Sequence, residues 1–171
     1  ATVVICDINE SAVVKVVDDI QAKTGRAVFG YHCDISDRHA VYAMADKVKA
    51  EVGVIDILIN NAGIVSGGDF LEIPDEKIEL TFGVNTLALF WTAKAFLPAM
   101  IERNDGHVVT IASAAGLVGT RKLTDYCASK FTAVGFDESL RMELKNSSPG
   151  VKTTVVCPFY IDTGMFDGVK S

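Results

Sequence analysis

The sequence has 171 residues, of which 49% are hydrophobic and 22% are charged, so its size and composition predict one compact domain with its own core. The apolar fraction excludes intrinsic disorder, and the formal net charge of −6 disfavours nucleic acid or an anionic membrane surface as the main partner. Lys94 and Pro98 interrupt the longest apolar segment, residues 86–100, so we expect no membrane-spanning helix.

Short β-branched segments alternate with helical patterns in the first half of the chain. The first helix is expected to have Ser11 as its N-cap and to end at Gly25. In chain order, the predicted elements are a strand at 3–7, this helix, a strand at 27–33, a helix at 37–52 and a strand at 55–60.

The same alternation continues in the second half. A Gly-rich loop runs to Gly68 and is followed by one long helix, then by a turn at residues 104–106. The further predicted elements are the helix at 74–102, a strand at 108–112, a helix at 124–145 and a strand at 151–156. Strands that alternate with helices form right-handed crossovers, so the fold class is α/β with a doubly wound, Rossmann-like parallel sheet in a single domain, residues 1–171.

Polar or turn-forming residues follow each predicted strand. Each such residue alone is more often a cap for the next helix than part of a site. Ligands of doubly wound sheets nevertheless bind beyond the carboxyl ends of the strands, so the five strand ends together predict one crevice. The residues at these ends are Asp7, Asp34 with Ile35, Asn60 to Gly63, Ser113 and Pro158.

Tyr126 and Lys130 lie four residues apart on a predicted helix, which places them on one helical face. An ammonium group beside a phenol favours the phenolate, so we expect Lys130 to lower the pKa of Tyr126 and to make it a general acid or base. Ser113, at the end of the adjoining strand, could hydrogen-bond the substrate oxygen whose proton moves.

Three motifs, in this order and at these separations, resemble the short-chain dehydrogenase/reductase family over residues 3–163: Asn60-Asn61-Ala62-Gly63, Ser113-Ala114-Ala115-Gly116 and Tyr126-Cys127-Ala128-Ser129-Lys130. The resemblance implies that Tyr126 is the catalytic acid/base and that Ser113 orients the substrate. It also implies that Lys130 lowers the pKa of Tyr126 and holds the nicotinamide ribose, and that Asn85 anchors a water that leads protons away from the lysine.

The resemblance also implies a set of dinucleotide contacts. Its members are Asp34 and Ile35 at the adenine, Asn61, Ala62 and Gly63 beside the adenine ribose, Tyr126 and Lys130 at the nicotinamide ribose, Pro158 and Ile161 along the nicotinamide, and Thr163 at the carboxamide. Phe159 stands where the family usually has glycine. Asp7 is expected to accept hydrogen bonds from the adenosine hydroxyls and to repel a 2′-phosphate, which favours NAD over NADP.

The family's first strand and its Gly-rich phosphate turn, T-G-x-x-x-G-x-G, do not occur in this sequence. In a doubly wound sheet that strand is the central one, so we expect two apolar strand edges to be exposed. The family's last helix and edge strand are also not represented. The hypothesis that follows is that this chain is part of a longer polypeptide.

The segments around Asn61, Phe90 and Tyr126 are similar to the retinol and hydroxysteroid dehydrogenase branch of the family. This similarity implies an apolar alcohol or carbonyl substrate, with residues 117–122 and the segment after Thr163 as walls of its pocket. The family also implies a homo-oligomer formed through the helices that contain Asn85 and Tyr126. Relatives in this branch often have a membrane anchor; none is visible in this sequence, and a cytoplasmic location is expected.

Other functions are weighed against this one. Ser113 is not set in the G-x-S-x-G motif of a serine hydrolase. His32, Cys33, Asp34 and His39 are close in sequence, but adjacent strand residues point to opposite faces, so no metal site is expected. Two alternatives stay open: a scaffold or regulatory relic that does not bind dinucleotide, and an NADPH-dependent carbonyl reductase.

Overall fold

A computed structural model describes residues 1–161, 164 and 165. Its strands are β1 (Val3–Asp7), β2 (Val28–His32), β3 (Ile57–Asn60), β4 (Gly106–Ile111) and β5 (Val151–Val156). Its α-helices are α1 (Glu10–Thr24), α2 (Arg38–Glu51), α3 (Asp75–Phe82), α4 (Ala88–Arg103) and α5 (Thr124–Ser147). The predicted order of strands and helices is confirmed, and most predicted bounds differ from the observed ones by one or two residues.

All the paired strands are parallel, and they form two sheets. β1 pairs with β2, with Val3 opposite Val28, and β3, β4 and β5 form the second sheet in that order. Within the described residues, β1 and β3 each pair along one edge alone, which is the arrangement expected when the strand between them is lacking. Ile57 and Ile59 of β3 are accordingly 57% and 59% exposed.

The first helix begins earlier than the sequence suggested. Its N-cap is Asn9 and not Ser11, because the Asn9 Oδ1 accepts hydrogen bonds from both the Ala12 N–H at 3.1 Å and the Ser11 hydroxyl at 2.8 Å. An asparagine side chain reaches the first free N–H groups of a helix as well as serine does. The predicted end is confirmed: Gly25 follows the helix with a φ of 65°, a left-handed conformation that glycine adopts without strain.

The long helix predicted over residues 74–102 is not uniform. A π-helical segment, Gly83–Leu87, separates α3 from α4. A π segment accommodates one extra residue per turn and is frequent at functional sites. The predicted single α-helix is therefore corrected to two α-helices joined by this segment, which contains the buried residue Asn85.

The main core joins the two sheets. Val41 and Val48 of α2 are fully buried and belong to one apolar cluster with Ala95 and Phe96 of α4. Val4 of β1 and Leu58 of β3 both pack against this cluster. Helix packing, rather than a shared strand edge, therefore connects the β1–β2 half to the β3–β5 half in the described part of the chain.

One helical stretch within residues 1–161, Asp75–Arg103, is long and apolar enough to cross a membrane by length and composition alone. Half of its most apolar window is buried inside the protein. Because the core helix of a globular domain meets the same two criteria, this observation is weak evidence for a membrane span.

Candidate active site

The loop that follows β3 is held against the π-helical segment by Asn85. The Asn85 Oδ1 accepts a hydrogen bond from the Ile64 N–H at 2.8 Å, and its Nδ2 donates to the Ile64 carbonyl at 2.9 Å. The same Nδ2 lies 3.0 Å from the Ser129 Oγ, to which it donates. Asn85, predicted as a site residue, thus lies 2% exposed between the loop and α5.

Tyr126 lies in the first turns of α5 and is 3% exposed. Its phenol is hydrogen-bonded to the Ser113 hydroxyl, which brings the two predicted catalytic residues together as expected. Burial raises the pKa of Tyr126, and the Ser113 hydrogen bond opposes this by lowering it. The expected net lowering of the Tyr126 pKa is therefore wrong, because the loss of solvation outweighs the Ser113 hydrogen bond.

Lys130 is one helical turn from Tyr126 and is also 3% exposed. Its Nζ donates a hydrogen bond to the Ile111 carbonyl at the end of β4, at 3.0 Å, and lies 5.7 Å from the centre of the Tyr126 ring. Burial lowers the pKa of Lys130 to about 8. Lys130 is therefore still mostly protonated near neutral pH, but it loses its charge below the pH at which Tyr126 ionises, so it does not lower the pKa of the tyrosine.

Ser113, Tyr126 and Lys130 line a cavity of about 290 Å³. Its lining is largely apolar, and these three side chains are among its polar residues. The lining residues are Asn61, Ile111, Ala112, Ser113, Ala114, Ala115, Val118, Thr120, Leu123, Tyr126, Lys130, Pro158, Phe159, Tyr160, Ile161 and Met165. A largely apolar cavity that contains the hydrogen-bonded Ser113 and Tyr126 hydroxyls can take a molecule with one hydroxyl or carbonyl oxygen on a hydrophobic body.

Three of the five strand ends converge on this cavity, and two do not. Asn61, Ser113 and Pro158 line it, and the Ala114 N–H donates to the Pro158 carbonyl at 2.8 Å. Asp7 and Asp34 are not among its described lining residues, because they belong to the separate β1–β2 half. The prediction of a single crevice is therefore correct for the second half of the chain only.

The residues predicted to contact the adenosine part of the dinucleotide lie at the end of β1 and in the loop after β2. Asp7 is exposed, and its Oδ1 accepts a hydrogen bond from the Asn9 N–H at 2.8 Å. The Asp34 Oδ1 accepts from both the backbone N–H and the hydroxyl of Ser36, at 2.9 and 2.7 Å, and Ile35 is half-buried beside it. Both carboxylates thus serve as turn or cap acceptors in this structure.

Four further predicted positions follow β3 and β5 in the sequence. Ala62 is exposed, and Gly63 approaches the site closely: a Cβ at Gly63 would lie 3.4 Å from both the Asn85 Oδ1 and the Lys130 Nζ. Ile161 lines the cavity. Thr163 lies outside the described residues.

The loop between β4 and α5 forms one wall of the cavity and is anchored at two points. The Thr120 N–H donates to the Cys127 Sγ at 3.3 Å, and the Gly68 N–H donates to the Lys122 carbonyl at 2.8 Å. Gly116 packs directly on α5, since a Cβ there would lie 2.6 Å from the Lys130 carbonyl oxygen. This wall is therefore fixed to the helix that carries Tyr126 and Lys130.

Sequence reasoning missed Ser129 and Tyr160. Ser129 is fully buried, and its hydroxyl donates to the Tyr126 carbonyl at 2.7 Å while it accepts from Asn85. A serine between the predicted catalytic tyrosine and lysine, within a helix, was the available signal. Tyr160 lines the cavity and its negative form raises the pKa of Tyr126, but nothing in the local sequence indicates that proximity.

Within residues 1–161, 164 and 165, no group of three or more His, Cys, Asp or Glu side chains is arranged to hold a metal ion. The four cysteines, which all lie in the same described part, are free thiols.

Comparison with known proteins agrees with this geometry. The chain is 53% identical over 172 residues to short-chain dehydrogenase/reductase family 16C member 6 of Bos taurus, covering 100% of this chain and 54% of that protein. It is 59% identical over 144 residues to retinol dehydrogenase 10-B of Danio rerio, covering 84% of this chain and 43% of that protein. The chain thus spans about half the length of the curated relatives it matches.

Solved structures share the fold. A short-chain dehydrogenase/reductase from Burkholderia phymatum in complex with NAD superposes with a TM-score of 0.91 and 33% identity, over 96% of this chain and 58% of that one. Similar structures have been solved in complex with NAD and in complex with NADP. The sequence profile described as short chain dehydrogenase matches residues 1–171. The chain therefore belongs to the short-chain dehydrogenase/reductase family, and its relatives include the retinol dehydrogenases.

Proposed function

We propose that the protein is an oxidoreductase that transfers a hydride between NAD(H) and an apolar alcohol or its carbonyl, with Tyr126 as the acid/base. The observation that carries this proposal is the grouping of Ser113, Tyr126 and Lys130 in one largely apolar cavity. Solved neighbours with NAD or NADP and relatives named retinol dehydrogenases support it.

In the direction of alcohol oxidation, the three side chains divide the work. The Ser113 hydroxyl donates a hydrogen bond to the substrate oxygen and holds it beside the phenol. The Tyr126 phenolate accepts the hydroxyl proton as the carbonyl forms, and Lys130, when protonated, stabilises that phenolate. A bound nicotinamide would supply the acceptor for the hydride that leaves the alcohol carbon.

The residues present fit a dinucleotide at the nicotinamide end. Gly63 leaves open the space next to the Lys130 Nζ that a Cβ would narrow, so a ribose can approach the ammonium. Tyr126 and Lys130 would hold the ribose hydroxyls, Pro158 and Ile161 would flank the nicotinamide ring, and Asn61 to Gly63 would border the adenine ribose. Asp34 and Ile35 would contact the adenine, and Thr163 the carboxamide.

NAD is favoured over NADP by the charge around the end of β1. Asp7 is exposed there, and Ile8, Asn9 and Glu10 follow it, so the local side chains offer a carboxylate and no cation to a 2′-phosphate. A carboxylate at this point accepts hydrogen bonds from ribose hydroxyls and repels a phosphate group.

The substrate class follows from the cavity and from the relatives. Val118, Leu123 and Ile161 are apolar lining residues of the cavity, and Lys130 is the one charged side chain among its described lining residues. An elongated hydrophobic alcohol, of the retinoid, steroid or lipid type, would bury its body against these residues and present one oxygen to Ser113.

A homo-oligomer through α4 and α5 also forms part of the proposal. The two helices border an apolar groove of about 730 Å³, where Phe90 and Phe136 stack edge to face with ring centres 5.0 Å apart. Phe90 and Ile101 are 41% and 39% exposed along it. A second copy of the chain that packs the same face would cover this groove, and sedimentation of the full natural chain tests for it.

The experiment that tests the proposed function is a screen of apolar alcohols and carbonyls with each dinucleotide. We expect oxidation of a retinoid- or steroid-like alcohol with NAD⁺, and a lower Kd for NADH than for NADPH. Saturable binding of neither dinucleotide by the full natural chain would contradict the proposal and favour a non-catalytic scaffold. Tighter binding of NADPH would contradict the cofactor assignment alone.

A further inference from the structure

The loop that follows β3 is hydrogen-bonded to other elements at three alternate residues, Ile64, Ser66 and Gly68. Ile64 exchanges two hydrogen bonds with Asn85, and the Gly68 N–H donates to the Lys122 carbonyl. Between them, the Ser66 hydroxyl lies 3.2 Å from the Thr81 Oγ1 of α3. Ser66 thus makes the middle one of three hydrogen-bonded contacts of this loop.

The Ser66–Thr81 hydrogen bond is extended by a second one to α5, the helix that contains Tyr126 and Lys130. The Thr81 Oγ1 donates a hydrogen bond of 3.0 Å to the Asp125 Oδ2. Thr81 is fully buried and Asp125 is 4% exposed. Asp125 directly precedes Tyr126, so this chain of three side chains runs from the cavity-side loop to the residue next to the phenol.

Burial of the Asp125 side chain carries a free-energy penalty from lost hydration. A buried carboxyl group needs hydrogen bonds to replace its lost hydration. Thr81 supplies one to the Asp125 Oδ2, whereas the buried Oδ1 has no hydrogen-bond partner in the described part of the chain. The place of Asp125 in the first turn of α5 lets the helix dipole offset part of this penalty.

The N-terminus of α5 has no side-chain cap at the position before the helix. The residue that precedes it, Leu123, has no polar side chain and makes no side-chain capping bond. The Asp125 hydrogen bond to Thr81 is therefore a side-chain contact that fixes the first turn of α5 to a different element.

We propose that Thr81 and Asp125 are positioning residues for the reaction. Together with Ser66, they fix the position of the Tyr126 phenol relative to the loop of residues 61–68. The inference rests on the proposed function, since it assigns these residues to the same site. It predicts that loss of the Thr81 hydroxyl loosens two segments together: residues 61–68 and the first turn of α5.

A matched pair of substitutions separates positioning from packing. Thr81→Val keeps the shape of the side chain and removes the hydroxyl, whereas Thr81→Ser keeps the hydroxyl and removes a methyl group. Thr153→Val is the control, because Thr153 donates a 3.1 Å hydrogen bond to Asp137, a second buried carboxylate of α5 that lies remote from Tyr126 in the helix.

Two measurements on the full natural chain give the test. Amide hydrogen exchange is expected to accelerate in residues 61–68 and 124–130 of Thr81→Val, and to stay at the wild-type rate there in Thr81→Ser and Thr153→Val. For the folded enzyme, kcat is expected to fall about 10- to 100-fold in Thr81→Val, with little change in KM, because small misplacements of a reacting group have effects of this size. Thr81→Ser should restore kcat.

The outcomes are distinguishable. Unchanged exchange in both segments of Thr81→Val, or equal acceleration in Thr153→Val, would overturn the inference whatever the activity. An inactive wild type would instead contradict the proposed function, and the exchange data would still decide whether the link exists. If Thr81→Val does not fold, Ser66→Ala breaks the same link at its less buried end and should accelerate exchange in residues 61–68.

Discussion

The Tyr126 phenol is subject to two opposing effects that a single substitution can separate. Burial raises its pKa, and the hydrogen bond from Ser113 lowers it by favouring the phenolate. We expect Ser113→Ala to raise the pKa of Tyr126 further, so that the acid limb of the kcat/KM profile moves to higher pH. An ultraviolet difference titration of Ser113→Ala, with Tyr126→Phe as the blank, measures this shift. A downward shift would contradict the assigned hydrogen bond.

At this scale the sequence predicts which residues meet but not their ionisation. The spacing of Tyr126 and Lys130 on a helix, with Ser113 at a strand end, was enough to predict their convergence. The direction of the Tyr126 pKa was not predictable, because it depends on how deeply both side chains are buried and on the Ile111 carbonyl that binds the Lys130 Nζ. Neither depth nor that carbonyl can be read from residue spacing.

The short turn after β4 must approach α5 closely for Ser113 to reach Tyr126. Gly116 permits this approach, since a Cβ at this position would lie 2.6 Å from the Lys130 carbonyl oxygen. We expect Gly116→Ala to reduce the free energy of unfolding by about 1–3 kcal/mol, because backbone atoms have to move apart. Gly119→Ala is the matched control in the same loop, where a Cβ would meet open space.

Chemical denaturation of the two variants checks this prediction. Gly119→Ala is expected to stay within about 0.5 kcal/mol of the wild type, as a surface substitution does. Equal stability of Gly116→Ala and the wild type would show that the turn can move away from α5 without penalty.

Element boundaries were predicted well where local chemistry decides them and poorly where tertiary contacts do. Gly25 ends the first helix as predicted, since its left-handed conformation is a local requirement. The π-helical segment was missed, because an apolar pattern over residues 74–102 is compatible with one α-helix. Within this segment, Asn85 hydrogen-bonds Ile64 and Ser129, which are 21 and 44 residues away in the chain. Contacts at such separations cannot be predicted from a local pattern.

For the whole molecule, the alternation of strands and helices was sufficient to predict a parallel α/β fold. The match of the family motifs also predicted that the strand between β1 and β3 is lacking, and the two separate sheets agree with this. Which strand ends share a cavity could not be predicted from order alone. Asp7 and Asp34 lie in the half that α2 and α4 connect to the rest by packing, outside the described cavity lining.

The central claim is that the Tyr126 phenol moves the proton in an NAD-linked oxidation, and Tyr126→Phe tests it most directly. The account predicts that this variant still binds NADH saturably, because it loses one proposed ribose contact while Lys130, Gly63 and Asp7 are unchanged. It also predicts a fall in kcat of about 100-fold or more, because the phenylalanine ring has no hydroxyl to accept or donate the proton. A Tyr126→Phe enzyme that keeps the wild-type kcat would contradict the claim.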